Sequence, residues 1–191
     1  YVVRSADFVH MEIDGLSFPR HYVIVLPAVG EPPHAVTQLI ERLQDRQIPI
    51  RWVSAGQTIG SLTVLHPPWG WIPRRNDQNN DSVVLLLNTG QATALLTGDI
   101  ERSIPVPEQV DVLKVPHHGS ADADPAFLAA SGARVALVSV GADNTYGHPT
   151  ARTLTWLARD GMRVHRTDRE GDLAVVGSAA GWGVAARGGP S

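Results

Sequence analysis

Apolar residues fall into short blocks along the chain rather than into one long stripe. Residues 22–26 (YVIVL) form a β-rich run ended by Pro27, and residues 30–33 read as a turn. Residues 34–46 carry Val36, Leu39, Ile40 and Leu43, the spacing of a helix with one face on a core. Residues 50–53 and 62–65 read as strands on either side of a glycine-rich turn at 56–60. Residues 67–81 are a loop rich in Pro, Trp and Asn. Residues 82–87 and 92–97 read as a hairpin of buried strands joined by a turn at 88–90.

After Gly98 the pattern alternates between strand and helix. Residues 111–115 form a strand, followed by a helix at 124–130 with Asp124 as N-cap, Pro125 in its first turn and Gly132 as its stop. A strand at 134–140 leads to a helix at 150–160, which has Leu154, Leu157 and Ala158 on one side and ends at Gly161. Strands at 162–166 and 172–176 close the pattern. Residues 177–191 are rich in Gly and Ala and are expected to form a flexible, frayed tail. With no internal repeat and no linker, residues 1–176 read as one α/β unit.

Composition narrows the class. The 191 residues include 43% hydrophobic positions, enough for a core in a single domain. The 18 Gly and 14 Pro keep the elements short. Absence of Cys excludes disulfide scaffolds, thiolate metal sites and Cys nucleophiles. A net charge of −3 excludes a strongly basic nucleic-acid footprint over the whole chain. The longest clean apolar run, residues 83–87, is far short of the roughly 18 residues of a membrane span. The chain starts at Tyr1 with no leader-like segment after it, and the expectation is a soluble fragment or processed piece.

Three polar clusters follow predicted strands, where α/β folds place their sites: Thr97-Gly98-Asp99, Pro116-His117-His118-Gly119-Ser120 and Tyr146-Gly147-His148-Pro149. Each alone reads as a turn or a surface loop. Three at consecutive strand ends point to a site, and imidazole with carboxylate suits Zn²⁺, Mn²⁺ or Fe.

The strings NNDSVVLLL, ALLTGDIE, VDVLKVPHHGS, VALVSVGADNTYGHP and VHRTDREGDLAV resemble the C-terminal metallo-β-lactamase-like domain of the ComEC family of DNA-uptake competence proteins, over residues 47–176. The resemblance implies a metallo-β-lactamase-like αββα sandwich, here N-terminally truncated to its later two-thirds. It implies a hydrolytic domain, a nuclease by expectation, carried by a plasma-membrane channel that imports single-stranded DNA. It also implies two divalent ions, Zn or Mn. By position Asp99 matches the bridging aspartate, with His118 and His148 as further metal ligands and His66 at the superfamily's middle histidine. His117 joins Asp99 and His118 as catalytic candidates. Asp81, Ser120 and Asp168 (beside Arg166) are further site candidates, and Trp69 and Trp71 are candidate stacking platforms for single-stranded DNA.

One motif departs from the pattern. The first histidine signature of the superfamily aligns with residues 6–16 (ADFVHMEIDGL), placing its ligand positions at Asp7, Val9, Met11 and Glu12. Val9 and Met11 cannot bind a hard divalent cation, and His10 is one place out of register. Three readings follow. The first is a metal-dependent DNA phosphodiesterase. The second is a catalytically degenerate module that binds DNA or supports the channel. The third is another hydrolase of the superfamily, such as a lactonase or RNA-processing enzyme, against which the PHHGS and YGHP strings argue.

Overall fold

The computed structural model describes residues 50–72 and 77–188, with short pieces at 2–3, 23–24, 41–42 and 44–47. The first histidine signature, the turn at 30–33 and most of the helix expected at 34–46 lie outside the described residues; residues 41–42 and 44–45 are helical. Strands β1 (Val2–Val3), β2 (Val23–Ile24) and β3 (Ile50–Arg51) are short, and β2 pairs with β3 in parallel.

A seven-stranded sheet follows. It comprises β4 (Thr58–Ile59), β5 (Leu62–His66), β6 (Val84–Asn88), β7 (Thr93–Leu96), β8 (Val112–Lys114), β9 (Val135–Val138) and β10 (Arg163–Arg166). Their order across the sheet follows the chain in reverse, β10 to β4. β4 to β7 form an antiparallel meander, while β7 to β10 run parallel. The hairpin expected at 82–97 is β6–β7, turned at Gly90 with φ +79° and an Asn88 side chain accepting from the Gly90 N–H.

Helices α1 (Pro125–Ala130) and α2 (Ala151–Arg159) make the β8-to-β9 and β9-to-β10 crossovers. Asp124 caps α1 through the Ala126 N–H, and Thr150 caps α2 through the Thr153 N–H. Strand alternation divides the core into two faces. Val84, Leu86, Leu95, Leu113, Ala136 and Val138 pack with Phe127, Leu128 and Leu157 of the helices. Their sheet neighbours Leu87, Ala94, Leu96, Val112, Val135 and Leu137 pack the other way, with Leu173, Trp182 and Val184. The short helix α3 (Thr167–Glu170) ends the β10 excursion.

That second face is covered by β11 (Asp172–Ser178) and β12 (Gly181–Arg187), which form a three-stranded sheet with β1. The expected flexible tail is therefore corrected over most of its length. β12 pairs antiparallel with β11 from Asp172↔Arg187 to Ser178↔Gly181. The Gly and Ala residues disguise a period-2 pattern, because Trp182 and Val184 alone carry the apolar face that reaches the core. The described chain is thus a mixed α/β fold of three layers: helices, a large sheet and a small sheet. Among the described residues, no helix is long and apolar enough to cross a membrane.

Candidate functional site

Strand direction gathers the site. β7, β8, β9 and β10 run parallel, and β5 runs the same way, so their C-terminal ends share one edge of the large sheet. His66 ends β5, Asp99 follows β7, His117 and His118 follow β8, His148 follows β9 and Asp168 follows β10. Asp81 lies on the same edge, in the 3-10 turn Gln78–Asp81 just before β6.

Two glycines let the loops approach. Gly98 has φ +56°, and a Cβ there would lie 2.9 Å from the Cβ and Oγ of Ser82. The Ser82 hydroxyl accepts the Asp99 N–H at 2.9 Å and fixes the aspartate backbone. Gly119 has φ +82°, and its Cβ would lie 2.6 Å from Pro149 Cβ, so only glycine lets the two histidine loops touch. Between them His117 (φ 45°, ψ 47°) and His118 (φ 54°, ψ 17°) are both left-handed. Two such non-glycine residues in succession store strain of about 1–3 kcal/mol each, a feature that clusters at functional sites. The strained turn is tied by the His117 N–H to the Gly98 carbonyl and by the Ser120 N–H to the His117 carbonyl.

The side chains are oriented by hydrogen bonds. His118 Nδ1 lies 2.7 Å from the Ser139 carbonyl, which can only accept, so Nδ1 carries the proton and Nε2 is the acceptor in the neutral ring. That Nε2 stands 3.9 Å from Asp99 Oδ1. His66 is tied the same way, with Nδ1 2.9 Å from the Ser82 carbonyl. The register shift between Val64 and His66 in the β5–β6 pair sets the position of this ring. His117 Nδ1 sits 2.7 Å from Glu101 Oε1, and Asn79 donates to the same oxygen at 2.8 Å. The His117 ring lies 5.6 Å from that of His148, whose Nδ1 is buried with no hydrogen-bond partner among the described residues. Burial, then the neighbouring His117 and His118 charges, hold His148 below the ordinary histidine range. Burial also lowers His66, against the opposing Ser82 hydrogen bond.

The structure brings Asp99, His117, His118 and His148 together. His66 and Asp81 form a neighbouring cluster through Trp71, which packs edge-on to His66 at 4.8 Å and donates its indole N–H to Asp81 at 2.7 Å. Arg102 lies over the Trp71 ring at 5.2 Å, so this tryptophan is a packed wall of the loop rather than a stacking platform; Trp69 is 88% exposed. Ser120 is buried, its carbonyl bonded by Thr153 and its hydroxyl by a local turn to Asp122. Asp168 forms a two-point clamp on Arg166.

Sequence reasoning missed two groups. Lys114 is the sole lysine of the chain, set in an otherwise apolar strand. It is buried, donates to the Gly98 carbonyl at 3.1 Å and stands 3.9 Å from Asp99 Oδ1. A lone lysine inside a run reading DVLKV was the available signal. Glu101, two residues after Asp99, was the other, since a loop carboxylate next to a histidine cluster readily orients a ring.

Among the described residues, no three His, Asp or Glu side chains come close enough to hold a metal ion by themselves. What they do form is one close pair, Asp99 and His118, with the His148 ring against His117. Carboxylate and imidazole are the donor types that suit a hard or borderline divalent cation.

No family model matches the chain. It is similar to ComE operon protein 3 of Bacillus subtilis (strain 168), 29% identical over 188 residues that cover 90% of this chain and 24% of the relative. The chain thus spans about a quarter of that relative's length, and the distant similarity supports a relationship to the ComEC family.

Proposed function

We propose that the chain is a metallo-β-lactamase-like module of a competence DNA-uptake protein, and that its strand-end site hydrolyses phosphodiesters of single-stranded DNA with a divalent cation. The observation that carries this reading is the His118 ring, held through Nδ1 by the Ser139 carbonyl so that Nε2 stands 3.9 Å from Asp99 Oδ1. The helix–sheet–sheet layering supports the fold half of the reading, since it supplies three of the four layers of an αββα sandwich.

Asp99 and His118 would hold one Zn²⁺ or Mn²⁺, with His148 beside them. When bound, such an ion supplies Lewis acidity toward a phosphodiester oxygen. The protein's own groups do the rest. Glu101 orients His117 through Nδ1 and leaves Nε2 to accept or donate a proton at the reacting oxygens. Lys114 adds positive charge beside Asp99 where phosphate charge develops. The exposed Trp69 offers a stacking surface to an unpaired base. A membrane channel region of the longer protein is the proposed partner, and places this module at the plasma membrane.

A second reading is favoured by a specific observation. The described residues assemble no three-donor cluster, and the first signature carries Val9 and Met11 at ligand positions. A catalytically degenerate module that binds DNA would look the same. The purified chain, dialysed and then given Mn²⁺, separates the two on a panel of labelled single-stranded DNA, RNA and a lactone. Metal-dependent cleavage of the DNA, lost in Asp99→Asn, is the expected result. Bound metal absent and no cleavage of any substrate would leave the degenerate module standing.

A further inference from the structure

The opposite edge of the large sheet, where β9 and β10 begin, carries a second cleft. Its volume is about 490 Å³, within the range of small-molecule sites, and it is lined by Arg134, Arg163, His165 and Trp182 with the backbone of Gly181 and Gly183. The parallel register builds it. Arg163 lies opposite Val135, and its N–H bonds the Arg134 carbonyl at 2.8 Å, so two arginines stand side by side at adjacent strand starts. β12 supplies the facing wall, with the Arg134 guanidinium 5.2 Å from the centre of the Trp182 ring.

The charges in the cleft do not all cancel. Asp111 pairs with Arg134, and Glu170 holds His165 at 2.7 Å. Arg163 is exposed and, among the described residues, makes no ion pair within 4.0 Å; Glu170 is the carboxylate whose titration responds to it. One cationic fork is therefore in surplus next to an aromatic ring and a second guanidinium plane. A bare anion would use the arginines alone, and an apolar ligand would use Trp182 alone. A planar ring joined to an anion uses all three.

We propose that this cleft binds a nucleotide, its base stacked on the exposed outer plane of the Arg134 guanidinium, which Trp182 backs from beneath, and its phosphate on Arg163. The shared chemistry comes from two sources, a free mononucleotide or one unit of a single strand. The cleft lies a strand's length along the sheet and two to three strands across it from Asp99, more than about 13 Å at 3.3 Å per residue, and does not depend on the hydrolytic reading.

Calorimetry on the intact chain tests it with thymidine monophosphate, a short oligothymidylate, thymidine and inorganic phosphate as separate probes. Arg163→Glu should weaken the phosphate-bearing thymidine probes by at least about tenfold, and Arg163→Lys by much less. Trp182→Phe keeps the packing against the core and should retain binding, whereas Trp182→Ala should lose it. Asp99→Asn should leave binding unchanged, which separates this cleft from the strand-end site. Binding of the oligomer alone supports the proposal and assigns the single strand as source; binding of both assigns the nucleotide unit itself. The proposal is overturned if neither binds, if inorganic phosphate binds equally well, or if Arg163→Glu changes nothing.

Discussion

The two edges of the seven-stranded sheet are built from the same strands but carry opposite chemistry. At the C-terminal ends stand four histidines, Asp99 and Glu101, with the His118 and His117 rings tied by Nδ1 to Ser139 and Glu101. At the N-terminal ends stand Arg134 and Arg163 with Trp182. The first edge is packed and strained, held by Gly98 and Gly119 against Ser82 and Pro149. The second is open, and its Arg134 side chain is 70% exposed. Parallel strands separate the two because each β–α crossover returns the chain to the starting edge, so loops after strands and residues before strands never mix. The lesson is that a chain with net charge −3 holds a cationic–aromatic surface apart from its acid–imidazole site.

The largest perturbation should erase the difference between the edges. Phe127 is 1% exposed in the helical layer beneath both, and Phe127→Ala should cost about 3–5 kcal/mol in denaturant unfolding, with both edges losing structure in one transition. Separate transitions for the two edges would break the comparison. Gly119→Ala should be confined to one edge. Its Cβ meets Pro149 and its φ is left-handed, so a loss of about 2–3 kcal/mol is expected, with Mn²⁺ binding abolished and nucleotide binding at the arginine cleft retained in the folded fraction. Trp69→Ala should leave stability within about 0.5 kcal/mol, because the side chain touches little, while weakening single-stranded DNA binding by about 1 kcal/mol or more at the strand-end edge.

The smallest effect is electrostatic. Burial raises the Asp111 carboxyl, but hydrogen bonds from the Thr93 backbone and from Arg134 outweigh it and leave it below the ordinary aspartate value. A depressed folded value means that its stabilisation is present above the unfolded value of about 3.9 and is lost as pH falls through the folded one. Asp111→Asn should flatten the acid limb of the stability curve below about pH 4 and leave the neutral-pH curve shape unaltered. An unchanged acid limb would show that the Arg134–Asp111 pair is not felt in folding.

Much of the frame was legible because local signals agreed. Asp124-Pro125 and Gly132 bracket α1, the VVLLL and ATALL runs alternate between the two cores as β6 and β7, and each histidine loop follows a readable strand. β12 was not legible, because its glycines and alanines hide a two-residue apolar face that is buried only through pairing with β11. The left-handed His117–His118 turn was hidden too. It arises from contact between the Gly119 and Pro149 loops, residues 30 positions apart that no local pattern relates. Lys114 showed as a lone charge in an apolar strand, but its meaning depends on the Gly98 carbonyl and Asp99 standing beside it.

The central claim is that Asp99 and His118 form a cation site on the strand-end edge. Calorimetric titration of the metal-free chain with Mn²⁺ tests it without recourse to turnover. The account predicts a saturable isotherm that is lost in Asp99→Asn, is strongly weakened in His118→Gln, and persists unchanged in Arg163→Glu. No binding by the wild-type chain, or an isotherm indifferent to both Asp99→Asn and His118→Gln, would contradict it.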